Sequence, residues 1–187
     1  MPSAEEIFDS FTYSDYKNWD DDIRYELING EVFMMSAPDE RHHDLVTTIY
    51  TQLRRQLGGG PCKPFIAPFD VRLFAKEDES DDTVLQPDVF VVCDREKLSD
   101  GKACKGAPDF VVEVTSPSTK IIDLFTKKDL YRKAGVREYW VVSSNKVGCY
   151  ILERGAYNEI VYNFGFSAEG QEIPVSVLPG CFVKLGV

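Results

Sequence analysis

Histidine is scarce in this chain: His42 and His43 are the only two among 187 residues. That leaves few parts for a His-based metal cage or a Ser-His-Asp arrangement. No CxxC pair is present, and the five cysteines (Cys62, Cys93, Cys104, Cys149, Cys181) are scattered, so zinc has little support. An odd cysteine count without a leader predicts free thiols in a reducing compartment. No apolar run approaches the roughly 18 residues of a membrane helix. The N-terminal MPSAEEIFDSF lacks the basic stretch and apolar core of a secretory signal. A soluble cytoplasmic protein is the expectation, with no membrane partner. Positive charge is also in deficit, 21 Lys+Arg against 31 Asp+Glu, giving a formal charge of −10. That balance counts against broad non-specific nucleic-acid binding. Part of it sits in one run, Glu77, Asp78, Glu79, Asp81 and Asp82, which reads as a solvated loop.

What is present is a core. Hydrophobic residues make up 43 % and aromatics 12 % of the chain, enough for one globular domain spanning 1–187, with 1–20 as an N-terminal extension. Asn29-Gly30 between two apolar runs predicts a hairpin with strands near 24–28 and 31–36. Pro38-Asp39 opens a helix whose Leu45, Ile49, Leu53 and Leu57 form one apolar stripe, and Gly58 to Pro61 closes it. Phe65 to Phe74 reads as a strand interrupted by Pro68. Two Val-rich runs, 87–93 and 108–114, read as strands buried on both faces, with a polar loop at 94–106 between them. Ser116 to Thr119 offers caps for a helix over 119–134, closed by Gly135. Further strands are expected at 138–142, 147–152, 159–164 and 181–185. This order predicts an α/β (α+β) fold: a mixed sheet flanked by helices, with extra strands in the N-terminal hairpin and the C-terminal tail.

Glu113 breaks the apolar run Val111-Val112-Glu113-Val114. A carboxylate in such a strand needs a hydrogen bond, a partner charge or a cation. Asp109 shares its face, but four residues of strand span about 13 Å, too far for the two to share one ion. Asp88 opens the preceding buried strand, and paired strands lie about 4.8 Å apart, so Asp88 and Glu113 can chelate a hard divalent ion together. Asp123, Lys127 and Tyr131 follow at i, i+4 and i+8 on one helical face. Read alone, Asp123 and Lys127 form an ordinary surface ion pair.

An acid on one strand, a Glu on the next and a nearby Lys resemble the PD-(D/E)xK nuclease superfamily. More narrowly, the chain resembles the Uma-type family of restriction endonuclease-like proteins from about residue 25 to 183. The matching pieces are Tyr25-Glu26-Leu27-Ile28-Asn29-Gly30-Glu31, His42, Pro87-Asp88, Ala107 to Val114, Ser116 to Thr119, Asp123 with Lys127 and Tyr131, and Gly135 to Trp140. The resemblance implies a restriction-endonuclease-like fold and a DNA endonuclease that uses Mg²⁺ or Mn²⁺. It implies Asp88 and Glu113 as metal ligands, helped by the Val114 carbonyl, and Lys127 near the attacking water. Glu26 and His42 match recurrent family positions and are accessory candidates. The superfamily's usual lysine position, two residues after the second acid, holds Thr115. Lys128 points about 100° away from Lys127 around the helix. The family's frequent Asp after Glu-Tyr-Trp is replaced by Ser143-Ser144. Phosphate contacts are expected from Lys102, Lys105, Lys120 and Arg132. A homodimer is expected, since cutting both strands takes two sites. Two other readings stay open: a nuclease-like fold used for binding or assembly without turnover, and a hydrolase of small phosphate esters or nucleotides.

Overall fold

Asn29 and Gly30 both take left-handed backbone, with φ of 51° and 82°. Through that turn β1 (Tyr25–Ile28) pairs antiparallel with β2 (Glu31–Met34), as the Asn-Gly pair predicts. The computed structural model describes residues 10–19, 23–35, 37–115, 121–164 and 170–186. A short helix, α1 (Tyr13–Tyr16), precedes the hairpin. The long helix α2 (Glu40–Gln56) is capped by Asp39, whose carboxylate accepts the His42 amide at 2.8 Å. Its stripe buries Val46, Ile49 and Leu53, with Leu45 and Leu57 at the edge of the same core.

Pro68 does more than interrupt a strand. Around it β3 (Lys63–Ile66) and β4 (Asp70–Arg72) diverge into different sheets. After them come β5 (Val84–Leu85), β6 (Val89–Val92), β7 (Ala103–Lys105) and β8 (Phe110–Val114). A π-helical turn, Ile122–Lys127, leads into α3 (Lys128–Ala134), which Gly135 ends at φ 92°. The expected caps Ser116 to Thr119 lie outside the described residues. The chain finishes with β9 (Glu138–Val142), β10 (Lys146–Glu153), β11 (Ala156–Asn163), β12 (Gln171–Pro174) and β13 (Phe182–Leu185).

One sheet has the order β2-β1-β5-β4-β7, a second β11-β10-β9-β8-β6-β3, and β12 pairs with β13 alone. Both larger sheets are mixed, with the parallel pairs β4·β7 and β8·β9. In the six-stranded sheet Val89, Val91, Phe110, Val112 and Trp140 face α2. Phe90, Val92, Val111 and Tyr139 face the other way, onto Leu130 and Tyr131 of α3 and onto Ile28, Val71 and Leu85 of the five-stranded sheet. Burial on both faces explains why β6 and β8 read as unbroken apolar runs. Among the described residues, no helix is long and apolar enough to cross a membrane.

Two expectations are corrected. Cys62 and Cys93 are joined by a disulfide, and only Cys104, Cys149 and Cys181 are free thiols. The register pairs Lys63 with Val92, so the next pair outward sets Cys62 against Cys93. The acidic run is not wholly solvated either. Asp81 is buried, and its carboxylate takes both arms of buried Arg72 at 2.9 and 2.5 Å, while the guanidinium lies over the Tyr13 ring.

Candidate active site

The β6·β8 pair is antiparallel, with Val89 opposite Val112 and Phe90 opposite Val111. One step further along the same register, Asp88 falls opposite Glu113. Glu113 shares the face of Val111, which points away from α2 and toward α3. Asp109 falls at the other end of the strand pair. Its carboxylate accepts the Cys93 amide at 2.8 Å and Arg137 at 3.3 Å, so it does not join Glu113.

Asp88 is held from two sides. One carboxylate oxygen accepts the Val114 amide at 2.7 Å, and the other lies 3.0 Å from His42 Nε2. The first turn of α2 thus delivers His42 to the end of β6. Glu113 accepts the Tyr131 hydroxyl at 2.8 Å and Lys127 Nζ at 3.1 Å, both on Oε1. The same ammonium reaches Glu26 at 2.8 Å and Asp123 at 3.7 Å. Glu26 sits on β1 and is fixed by the main-chain N–H of Gln86 at 2.9 Å. Both larger sheets and the π-helical turn therefore meet at Lys127. The ion pair between Asp123 and Lys127 is not a surface pair, since both residues are buried. Lys128 turns away and lies 4.7 Å over the Tyr150 ring.

These surroundings set the charges. Burial pushes the Glu113 carboxyl well above its usual range, with Lys127 pulling it back. Burial disfavours charge on Lys127 too, but Glu113, Glu26 and Asp123 together outweigh it and keep the ammonium. The hydrogen bond to Asp88 raises His42. Burial raises the Tyr131 hydroxyl far out of range for ionisation, so it acts as a donor.

The five candidate residues fall into two adjoining sets, Asp88 with His42 and Glu113 with Lys127 and Glu26, set side by side by the register of β6 against β8. Sequence reading missed the parts played by Tyr131 and Gln86. The i+4 spacing of Tyr131 from Lys127 carried a signal. Gln86 carried none, because it acts on Glu26 through its backbone. Of the expected phosphate contacts, Lys105 pairs with Asp100 and Arg132 with Asp129. Lys102 is exposed, and Lys120 lies outside the described residues.

Among the described residues, Glu26, Glu113 and Asp123 lie around Lys127, and Asp88 lies beside His42. Fully ionised, the set carries surplus negative charge in a poorly hydrated place, which a hard cation would offset. Among the described residues no three His, Cys, Asp or Glu side chains form an ion cage by themselves. Two acids with open positions left for water and substrate oxygens suit Mg²⁺ better than an all-protein cage does. Asp88 and Glu113 are the residues that would hold such an ion.

The sequence profile of the Uma2 family, described as "Putative restriction endonuclease", matches residues 13–185. An uncharacterized protein of Synechocystis sp. (strain ATCC 27184 / PCC 6803 / Kazusa), slr1290, is 29% identical over 150 residues, covering 78% of this chain and 74% of that one. The fold is similar to the crystal structure of a putative nuclease belonging to DUF820 from Anabaena variabilis ATCC 29413. The TM-score is 0.63 at 19% identity, over 93% of this chain and 94% of that one.

Proposed function

The chain belongs to the Uma2 family, and from that premise we propose that it is a divalent-cation-dependent endonuclease that hydrolyses phosphodiester bonds of DNA. The observation that carries this reading is the register of β6 against β8, which sets Asp88 opposite Glu113, with Lys127 Nζ 3.1 Å from the Glu113 carboxylate. Asp88, Glu113 and the Val114 carbonyl would hold one Mg²⁺ or Mn²⁺, which would polarise the scissile phosphate and acidify a bound water. Lys127 offsets negative charge that builds on the phosphate as the bond to the leaving oxygen breaks. Tyr131 fixes the rotation of the Glu113 carboxylate, and His42 with the Val114 amide does the same for Asp88. Glu26 and Asp123 hold the lysine in place and charged. No covalent intermediate is required.

The net charge of −10 and the neutralised Lys105 and Arg132 favour a second reading, hydrolysis of small phosphate esters or nucleotides by the same residues. One experiment addresses both. Single- and double-stranded DNA and a chromogenic phosphodiester are incubated with Mg²⁺, Mn²⁺ or EDTA. Wild type runs beside an identically purified Asp88→Ala/Glu113→Ala variant. The expected result is metal-dependent DNA cleavage by wild type alone. Cleavage of the chromogenic ester without DNA cutting would replace the first reading with the second. Equal activity in both proteins would mean contamination or a site other than Asp88 and Glu113, and no activity on any substrate would overturn both readings and leave a binding or assembly module.

A further inference from the structure

We propose that a basic cavity at the far end of α2 docks small anionic thiols, which exchange with the Cys62–Cys93 disulfide. The cavity has a volume of about 320 Å³ and lies between the C-terminus of α2, the Gly58–Gly60 turn, the start of β3 and the turn that begins at Arg95. Its size falls at the lower end of ordinary small-molecule sites. Arg54, Lys63, Arg95 and Cys62 line it, and no acidic side chain does. Among the described residues none of these three cations is in an ion pair. In a chain of charge −10, three unpaired cations around one cavity run against the overall balance. Arg54 also answers the carbonyl end of α2. Lys63 and Arg95 stand on other elements, so the helix end does not explain them.

Cys62 lines the cavity, at the edge of the core against which the disulfide packs. Cys62 and Cys93 are both partly exposed, whereas Cys104, Cys149 and Cys181 are buried. An incoming thiolate RS⁻ attacks Sγ of Cys62 and forms a mixed disulfide there. The Cys62–Cys93 bond breaks, and its electron pair leaves on Sγ of Cys93, which takes a proton from water. A second RS⁻ attacks the sulfur of the R group, releasing RSSR and the Cys62 thiolate, which is protonated in turn. The two cysteines gain two electrons and the two small thiols lose them, so the anionic thiol is the reductant. The cations act by concentrating a thiol that carries a further negative group, and by favouring the thiolate form beside them. The exchange stands independently of phosphodiester hydrolysis.

The test uses the whole chain, oxidised in air, and two probes of opposite charge, 2-mercaptoethanesulfonate and cysteamine. Each exchange rate is read by intact mass as loss of the internal disulfide. It is then divided by the same probe's rate on 2-hydroxyethyl disulfide, which cancels intrinsic thiol reactivity. We expect an about ten-fold preference for the sulfonate at low salt, falling toward one near 1 M salt. Peptide mapping should place the adduct on Cys62. Lys63→Gln and Arg95→Gln, singly and together, should reduce the preference while circular dichroism stays unchanged. Equal corrected rates for the two probes, a preference that survives high salt or the charge variants, adducts on other cysteines, or free Cys62 and Cys93 in the air-oxidised protein would each overturn the proposal.

Discussion

Lys127 is the cation that Glu26, Glu113 and Asp123 share among the described residues, at 2.8, 3.1 and 3.7 Å, and all four side chains are buried. Removing it takes the shared positive charge from buried Glu26 and Glu113, which keep only the Gln86 amide and the Tyr131 hydroxyl as hydrogen-bond donors among the described residues. Lys127→Met should therefore cost about 3–5 kcal/mol of folding stability, read from urea unfolding, and should abolish the proposed cleavage. A loss below about 1 kcal/mol would mean that water or protons compensate the cluster. Asp81 makes the opposite kind of test, at a place remote from the chemistry. Burial alone would raise its carboxyl, but the hydrogen bonds from Arg72 and the Lys76 amide outweigh that and hold it below its ordinary 3.8. The folded state thus binds a proton less readily than the unfolded state. Its contribution is fully present above about pH 4 and is lost as pH falls through the lowered folded value. Asp81→Asn should be about 3–5 kcal/mol less stable at pH 7, because it leaves Arg72 buried and unpaired. The gap to wild type should narrow in melts recorded below pH 4.

The first turn of α2 links helix capping to the site. Asp39 accepts the His42 amide, and His42 in turn meets Asp88. Asp39→Ala should cost about 1 kcal/mol and loosen the contact between His42 and Asp88. Because that contact, with a smaller contribution from the Asp39 charge itself, raises His42 above its ordinary 6.5, an NMR titration should show its pKa falling toward 6.5 in the variant. An unchanged value would mean that Asp88 holds the ring without help from the cap. These links also show what was legible beforehand. Asp88 against Glu113 could be read because two buried runs with acids at their ends admit few registers. Lys127 with Tyr131 could be read because helical spacing places them on one face. The two-residue β5 and three-residue β7 could not, since so short a strand shows no period. Cys62 with Cys93 and Asp81 with Arg72 depend on strand register and loop path, which spacing alone does not give. Gln86 acts through its main-chain N–H, which every residue except proline carries.

The molecule as a whole is acidic, and its proposed substrate is a polyanion. Thirty-one acids against 21 bases mean that lowering the salt strengthens repulsion along with any attraction. DNA affinity should then depend on salt far less steeply than for a basic binder, whose log–log slope reaches about −10. A slope no steeper than about −4 is expected. What should bring DNA to such a surface is a divalent ion at the acidic centre, where it offsets the carboxylates of Asp88 and Glu113 and presents positive charge to a phosphate. Ca²⁺ separates binding from turnover, since it takes oxygen ligands as Mg²⁺ does but with looser geometry. Wild type should gain at least about ten-fold in DNA affinity on adding Ca²⁺, equivalent to about 1.4 kcal/mol. Asp88→Ala/Glu113→Ala should gain nothing, although it lacks two carboxyl groups and would bind DNA at least as well if bulk repulsion alone governed. An equal response in the two proteins would place the ion elsewhere. Tighter binding by the variant without Ca²⁺ would measure the bulk repulsion directly.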